Sequence, residues 1–142
     1  MKGTFMSQSI HQLETKRLAL LDKLSSFGKF RRGTISVNYR TCGKAGCACQ
    51  KDKSKRHGPQ YLWNITRNQK SYSKNLHLGP EVEKYVTETE NYRAFQSWCK
   101  EFIAINEALC DALPIEEISS QETLEALKKK LRRRLHVLRT NK

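Results

Sequence analysis

A chain of 142 residues can fold as one domain with a modest core, and its formal net charge of +13 goes far beyond what solubility demands. Such an excess points to a polyanionic partner, nucleic acid before an anionic membrane surface. No stretch approaches the roughly 20 apolar residues a membrane span needs, and the opening MKGTFMSQSIHQLETK lacks the apolar segment of a secretion signal, so the expected setting is cytoplasmic.

Ile10, Leu13, Leu20, Leu24 and Phe27 recur at steps of three and four, interrupted by Arg17 in the seam. This predicts an amphipathic packing helix from Ser7 to Phe27, stopped by Gly28. From Ile35 the period changes to two: Ile35, Val37 and Tyr39 alternate with Ser36, Asn38 and Arg40, the pattern of a half-buried strand.

The next segment, RTCGKAGCACQKDKSKRHGPQY, holds three of the five cysteines, and Cys42, Cys47, Cys49 and His57 form a C-x4-C-x-C-x7-H series. Three thiolates and one imidazole complete a tetrahedral shell with no open position for a substrate or an activated water. The expected role is a structural Zn2+ that staples a loop too polar to hold itself by apolar burial. His77 and Asp52 are alternatives to His57 as fourth ligand. Free thiols, a disulfide from Cys42, or a redox role for Cys47 and Cys49 are alternatives to a metal. An odd number of cysteines with three clustered fits a reducing compartment better than a disulfide framework.

Gln60 to Thr66 and Ser71 to Leu78 flank a polar turn at Arg67, Asn68, Gln69 and Lys70, predicting a hairpin. The whole is then a three-stranded antiparallel sheet whose first two strands are joined by the metal loop. Tyr61, Trp63 and Tyr72 are available either to pack on the following helix or, on an open face, to stack on unpaired bases.

Gly79-Pro80-Glu81 opens a helix that runs to about Ala112, before Pro114. Tyr92, Phe95, Cys99, Phe102, Asn106, Leu109 and Leu113 follow a three-four alternation, a seam suited to the N-terminal helix, with Asn106 matching the interruption at Arg17. A homodimer through the same seams is the alternative. Cys99 and Cys110, eleven residues apart, read as small buried hydrophobes. Beyond Pro114, Ser119-x-x-Glu122 has a capping-box pattern. Leu124, Leu127, Leu131, Leu135 and Leu138 then line one face of a helix that also carries Lys128, Lys129, Lys130, Arg132, Arg133 and Arg134. Phosphate contact, a protein groove and an anionic membrane surface all suit such a helix.

The expected fold class is therefore α+β: a small three-stranded antiparallel sheet with a Cys/His metal loop, packed on an antiparallel pair of helices, plus a basic C-terminal helix. Its expected divisions are a packing helix (1–28), the metal-loop, sheet and long-helix core (29–113), and a linker with the basic helix (114–142). Between Lys29 and Lys74 the only acid is Asp52. This places a nucleic-acid face on Arg31, Arg32, Arg40, Lys44, Lys51, Lys53, Lys55, Arg56, Arg67, Lys70 and Lys74, with Arg40 and Asn64 as candidate base readers. DNA is the favoured partner over RNA, and a protein partner held by the C-terminal helix is the alternative function. Paired carboxylates are not found in the polar middle region, nor a nucleophile triad or a glycine-rich phosphate loop in the sequence, which reads as a binding protein and not an enzyme.

The run Cys42-Gly43-Lys44, Cys47, Cys49, His57-Gly58-Pro59, Tyr61-Leu62, then a hairpin and a helix with Asn91-Tyr92, resembles an uncharacterised bacterial family known as domain of unknown function 6788. The resemblance covers about residues 30 to 112. Members are often encoded beside transposases, so it implies a mobile-element accessory or DNA-binding role, and it supplies no catalytic residues. The chain departs from the family pattern at Ala45, where proline is usual, and at Asn68-Gln69, where the turn usually has glycine.

Overall fold

The computed structural model describes residues 8–140 of the chain. Helix α1 (Ile10–Leu24) leads to strand β1 (Thr34–Arg40), the cysteine loop with two short 3-10 turns (Ala48–Gln50 and Lys53–Lys55), strand β2 (His57–Arg67), strand β3 (Lys70–Leu76), helix α2 (Pro80–Ala112) and helix α3 (Gln121–Thr140). The fold is the expected α+β arrangement, with the sheet ordered β1-β2-β3 and both pairs antiparallel.

Local chemistry explains the element ends. Ser9 and Gln12 form a reciprocal capping box at the start of α1, a signal not used in the sequence reading, so the helix begins at Ile10. Pro80 occupies the first turn of α2 with Glu81 and Glu83 beside it. Helix α3 is capped one residue later than the Ser119-x-x-Glu122 pattern implies: Ser120 Oγ accepts from the Thr123 amide at 3.5 Å. The hairpin turn is two residues long, with Asn68 at φ 48° and Gln69 at φ 64°. Two positive φ values match the twist of a tight antiparallel hairpin, and asparagine bears that conformation more easily than glutamine.

The 33-residue α2 serves as the spine, about 50 Å long at 1.5 Å per residue. Its N-terminal half carries the sheet through a cluster of Trp63, Ile65, Leu76, Val82 and Tyr85, with Ile35, Tyr61 and Val86 at its margin. Its C-terminal half pairs with α1 through Leu13, Leu20, Trp98 and Ile105, joined by Phe27, Phe95, Phe102 and Leu109. Leu20 O accepts from Trp98 Nε1 at 2.8 Å, while Phe27 meets Phe95, so the two helices run antiparallel.

The α2 seam keeps Phe95, Cys99, Phe102, Asn106 and Leu109 of the one expected from the sequence and adds Trp98 and Ile105. Trp98 and Ile105 are its buried members, and Tyr92 instead meets Phe30, whose ring stacks on Phe95 at 4.8 Å. Cys99 is half-buried at the margin of this cluster, but Cys110 is exposed, contrary to its expected burial.

Gly33 and Gly58 fix how the chain enters the sheet. Gly33 has φ 116°, and a Cβ there would collide with the Trp63 indole nitrogen and stand 2.6 Å from Asn64 O. That close approach lets Trp63 Nε1 donate to Arg32 O at 2.9 Å. Gly58, at φ 150°, would place a Cβ 2.8 Å from Asn38 O. Neither position accepts a side chain without moving backbone.

Candidate metal centre and basic surface

The register of β1 and β2 builds the cluster. Arg40 pairs with His57 after an irregularity between Asn38 and Arg40, which brings the two ends of the cysteine loop side by side. The loop then doubles back through the turn Ala48–Gln50, so that Cys42, Cys47, Cys49 and His57 present ligand atoms all within 4.8 Å of one another. Cys42 Sγ lies 3.6 Å from Cys49 Sγ, and Cys47 Sγ lies 3.3 Å from His57 Nε2. A four-coordinate ion with metal–sulfur bonds of about 2.3 Å and a metal–nitrogen bond of about 2.0 Å has edges of roughly 3.8 and 3.5 Å. These two pairs lie near those edges, and the donor set is one that can hold a four-coordinate metal ion.

Supporting contacts orient the ligands. The Cys42 amide donates to Cys49 Sγ at 3.3 Å, an interaction that favours a thiolate, and the Gln50 side chain donates to Cys42 O. Cys49 is only 2% exposed. The Cys47 thiol is lowered below its usual range by a backbone hydrogen bond from Cys49 and by side-chain hydrogen bonds with Cys49 and Cys42. At Cys49 the Cys42 amide acts in the same sense, but burial and the neighbouring sulfurs outweigh it and push the thiol up.

His57 is the fourth member of the cluster, and the two alternatives are engaged elsewhere. Asp52 Oδ1 accepts from the Ser54 amide at 3.0 Å and its hydroxyl at 2.7 Å, which caps the second 3-10 turn. His77 Nδ1 lies 2.9 Å from Glu81 Oε2, and the His77 amide donates to the same oxygen.

The basic residues divide into two groups. Arg31 and Lys74 are drawn into the scaffold. The Arg31 guanidinium stands 3.9 Å over the Tyr85 ring and 3.4 Å from Glu88, while Lys74 lies 2.9 Å from Glu81 and donates to Tyr85 Oη at 3.1 Å. Arg32, Arg40, Lys44, Lys51, Lys53, Lys55, Arg56, Arg67 and Lys70 are exposed, and among the described residues none of them has an ion-pair partner. Five of these, from Lys44 to Arg56, sit on the cysteine loop itself, whereas Arg67 and Lys70 flank the hairpin turn.

Of the strand aromatics, Trp63 and Tyr61 pack in the cluster against α2, whereas Tyr39 and Tyr72 are exposed. Trp63 and Ile65 are core residues, and Tyr61 and Tyr72 share their face by register, opposite Leu76 and Ile65. On α3, Leu124, Leu131 and Leu135 are exposed, Leu127 is half-buried, and neither core cluster includes a described side chain of this helix. Lys128 pairs with Glu125 at 3.1 Å, and Lys129, Lys130, Arg132, Arg133 and Arg134 are exposed. The Leu138 side chain, the last of the expected stripe, lies outside the described residues. No described helix is long and apolar enough to cross a membrane.

The fold and the cluster together define a small α+β protein whose sheet is closed at one end by a Cys3His loop able to hold a metal ion. The chain belongs to the family described as domain of unknown function (DUF6788), whose model matches residues 10–86, just over half of the 142 residues. The match takes in α1, which the motif resemblance does not reach, and stops inside α2. No curated protein and no solved structure matches the chain.

Proposed function

We propose that this chain is a nucleic-acid-binding accessory protein whose basic loop is held in shape by a structural Zn2+. The observation that carries the reading is the position of Lys44, Lys51, Lys53, Lys55 and Arg56. All five are exposed on the loop that the Cys42, Cys47, Cys49 and His57 cluster would staple. Three sulfurs and an imidazole are a donor set that zinc takes in structural sites, and a closed shell leaves the ion no catalytic position. Its work is to hold a cation-rich segment in one shape, so that phosphates meet a preorganised surface and not a flexible tether. A mobile-element setting agrees with the family resemblance. No enzymatic role is proposed.

The test is equilibrium binding of the full-length protein to mixed-sequence DNA across a salt series, with and without a zinc chelator. A steep fall of affinity with salt, and weaker binding after chelation, support the reading. Salt-independent or undetectable binding overturns it.

A second reading rests on the exposed leucines of α3, whose stripe at Leu124, Leu131 and Leu135 suits a partner's groove. In that case the chain is an adaptor that grips nucleic acid held by a larger complex. Deletion of residues 121–142 that abolishes co-purification of a partner, while DNA binding persists, favours this version.

A further inference from the structure

The sheet has two unlike faces. The face turned from α2 carries, by register, Thr34, Ser36 and Asn38 on β1, Gln60, Leu62, Asn64 and Thr66 on β2, and Ser71, Ser73 and Asn75 on β3. In a chain that is 29% Asp, Glu, Lys and Arg, this face has no charged side chain and no aromatic ring between Thr34 and Asn38 or anywhere opposite them. Apart from Leu62 it consists of amides and hydroxyls.

Those groups are ordered across the strands. Asn64 Nδ2 donates to Ser36 Oγ at 2.9 Å, Ser73 Oγ donates to Asn64 Oδ1 at 2.7 Å, and Gln60 Nε2 donates to Asn75 Oδ1 at 2.7 Å. Positive charge stands at both ends. Arg32 lines a hollow with Thr34, Asn64 and Ser73 that reaches round the sheet to Tyr72 and Tyr92, and Arg40 lines another with Gln60 and Asn75 that reaches Tyr61 and His57.

We infer that this uncharged face lies in the major groove of duplex DNA, its amides and hydroxyls against base edges and the flanking cations on the phosphates. The inference rests on the nucleic-acid reading proposed above and names the form of nucleic acid and the surface that meets it. Single strands are held largely by stacking on aromatic rings, and this face presents none: Trp63 and Tyr61 pack toward α2, and the exposed Tyr72 lies on that opposite side by register. Base edges in a duplex are instead read by donors and acceptors of the kinds that asparagine, glutamine, serine and threonine supply. Size agrees: the outer strands of a three-stranded sheet are about 10 Å apart. The B-form major groove, about 12 Å wide, admits two neighbouring strands of such a sheet, whereas the minor groove is about 6 Å wide. The major groove of A-form RNA is too narrow and deep. Charge complementarity fits the same occupant, because a neutral face with Arg32 and Arg40 at the two ends of β1 leaves amides for base edges and cations for phosphates.

The experiment compares four probes for the full-length protein: a 20-base-pair mixed-sequence DNA duplex, the same duplex with glucosylated hydroxymethylcytosine filling its major groove, one of its single strands, and the corresponding RNA duplex. The plain duplex should bind at least tenfold tighter than each of the others. The isosteric pair Asn38→Asp with Asn75→Asp puts two negative charges on the face and leaves Asn75 able to accept from Gln60. It should weaken duplex binding at least tenfold more than Thr87→Asp with Ser97→Asp, which adds the same charge on the exposed side of α2. Equal binding of the glucosylated duplex, tighter binding of the single strand or RNA, or identical behaviour of the two variant pairs overturns the groove assignment and leaves nucleic-acid binding in place. Absence of binding to all four probes overturns both.

Discussion

Arg17 and Asn106, the polar interruptions of the two facing helix seams, meet each other: Arg17 Nε donates to Asn106 Oδ1 at 2.9 Å. Asn106 in turn donates to Phe102 O at 2.7 Å, and the Arg17 guanidinium stands 5.9 Å from the Phe102 ring. Removing one partner strands the other, so Asn106→Ala should cost about 1–2 kcal/mol in urea melts. Replacing both with leucine should recover most of that stability while weakening the preference for a single helix register. If the single variant melts like wild type, the pair is incidental.

The cluster makes a prediction about metal content. Protein purified without added metal should carry one zinc per chain, with the thiols of Cys42, Cys47 and Cys49 protected from alkylation until a chelator is present. Cys47→Ser should lose the metal and loosen the pairing of β1 with β2, because the loop between them has little apolar burial besides Cys49. Elemental analysis, with thiol titration before and after chelation, decides the matter; metal-free protein with freely reactive thiols would overturn it.

Lys53→Ala combined with Lys55→Ala leaves the metal ligands untouched and removes two unpaired cations from the second 3-10 turn. Thermal stability should hold within about 0.5 kcal/mol. Affinity for DNA should fall almost equally for all sequences, with the salt slope reduced by about two. Unchanged affinity would move the phosphate contacts away from the loop.

At the junction of β3 and α2, Glu81 accepts from the His77 amide at 2.9 Å and lies 2.9 Å from Lys74 Nζ. The amide bond, then the Lys74 and His77 side chains, hold its carboxyl at about 2, against an ordinary 4.5. A depressed folded-state pKa stabilises the fold above pH 4.5, and that contribution disappears as pH falls from 4.5 toward 2. Glu81→Gln should therefore melt below wild type at pH 6, with the gap narrowing steadily toward pH 2.5. A gap that does not change with pH would remove Glu81 from the acid response.

Gln69 occupies the left-handed region at φ 64°, where glycine carries no Cβ penalty. Gln69→Gly should stabilise the protein by about 0.5–1 kcal/mol in urea melts, without altering the register that pairs Arg67 with Lys70. A destabilised variant would show that the Gln69 side chain contributes more than its backbone strain costs.

Periodicity made the elements legible because Leu13 and Leu20 repeat with the period of a helix and Ile35, Val37 and Tyr39 with that of a strand, although Val37 and Tyr39 are exposed and only Ile35 is half-buried. Cys42, Cys47, Cys49 and His57 were readable from donor type and spacing alone. What escaped was set by distant contacts. Both Tyr92-Phe95-Cys99-Phe102 and Phe95-Trp98-Phe102-Ile105 obey a three-four step, and only the placement of α1 makes Trp98 and Ile105 the buried members. Arg31 and Lys74 look like their exposed neighbours in sequence, yet Glu88, Glu81 and Tyr85, all on α2, claim them. The neutral sheet face was visible residue by residue, but its continuity depends on a three-strand register that no single segment contains.

The division of the interior along α2 gives the molecule two built-in optical reporters. The chain has two tryptophans, and each half holds one: Trp63 beneath the sheet and Trp98 between the helices. An event at the cysteine loop reaches Trp63 through β1 and β2, while Trp98 sits in a separate apolar cluster beyond the Phe30–Phe95 stack. With either indole replaced by phenylalanine, the emission of the other reports its own half, so the order in which the sheet and the helix pair come apart can be watched in the unlabelled protein.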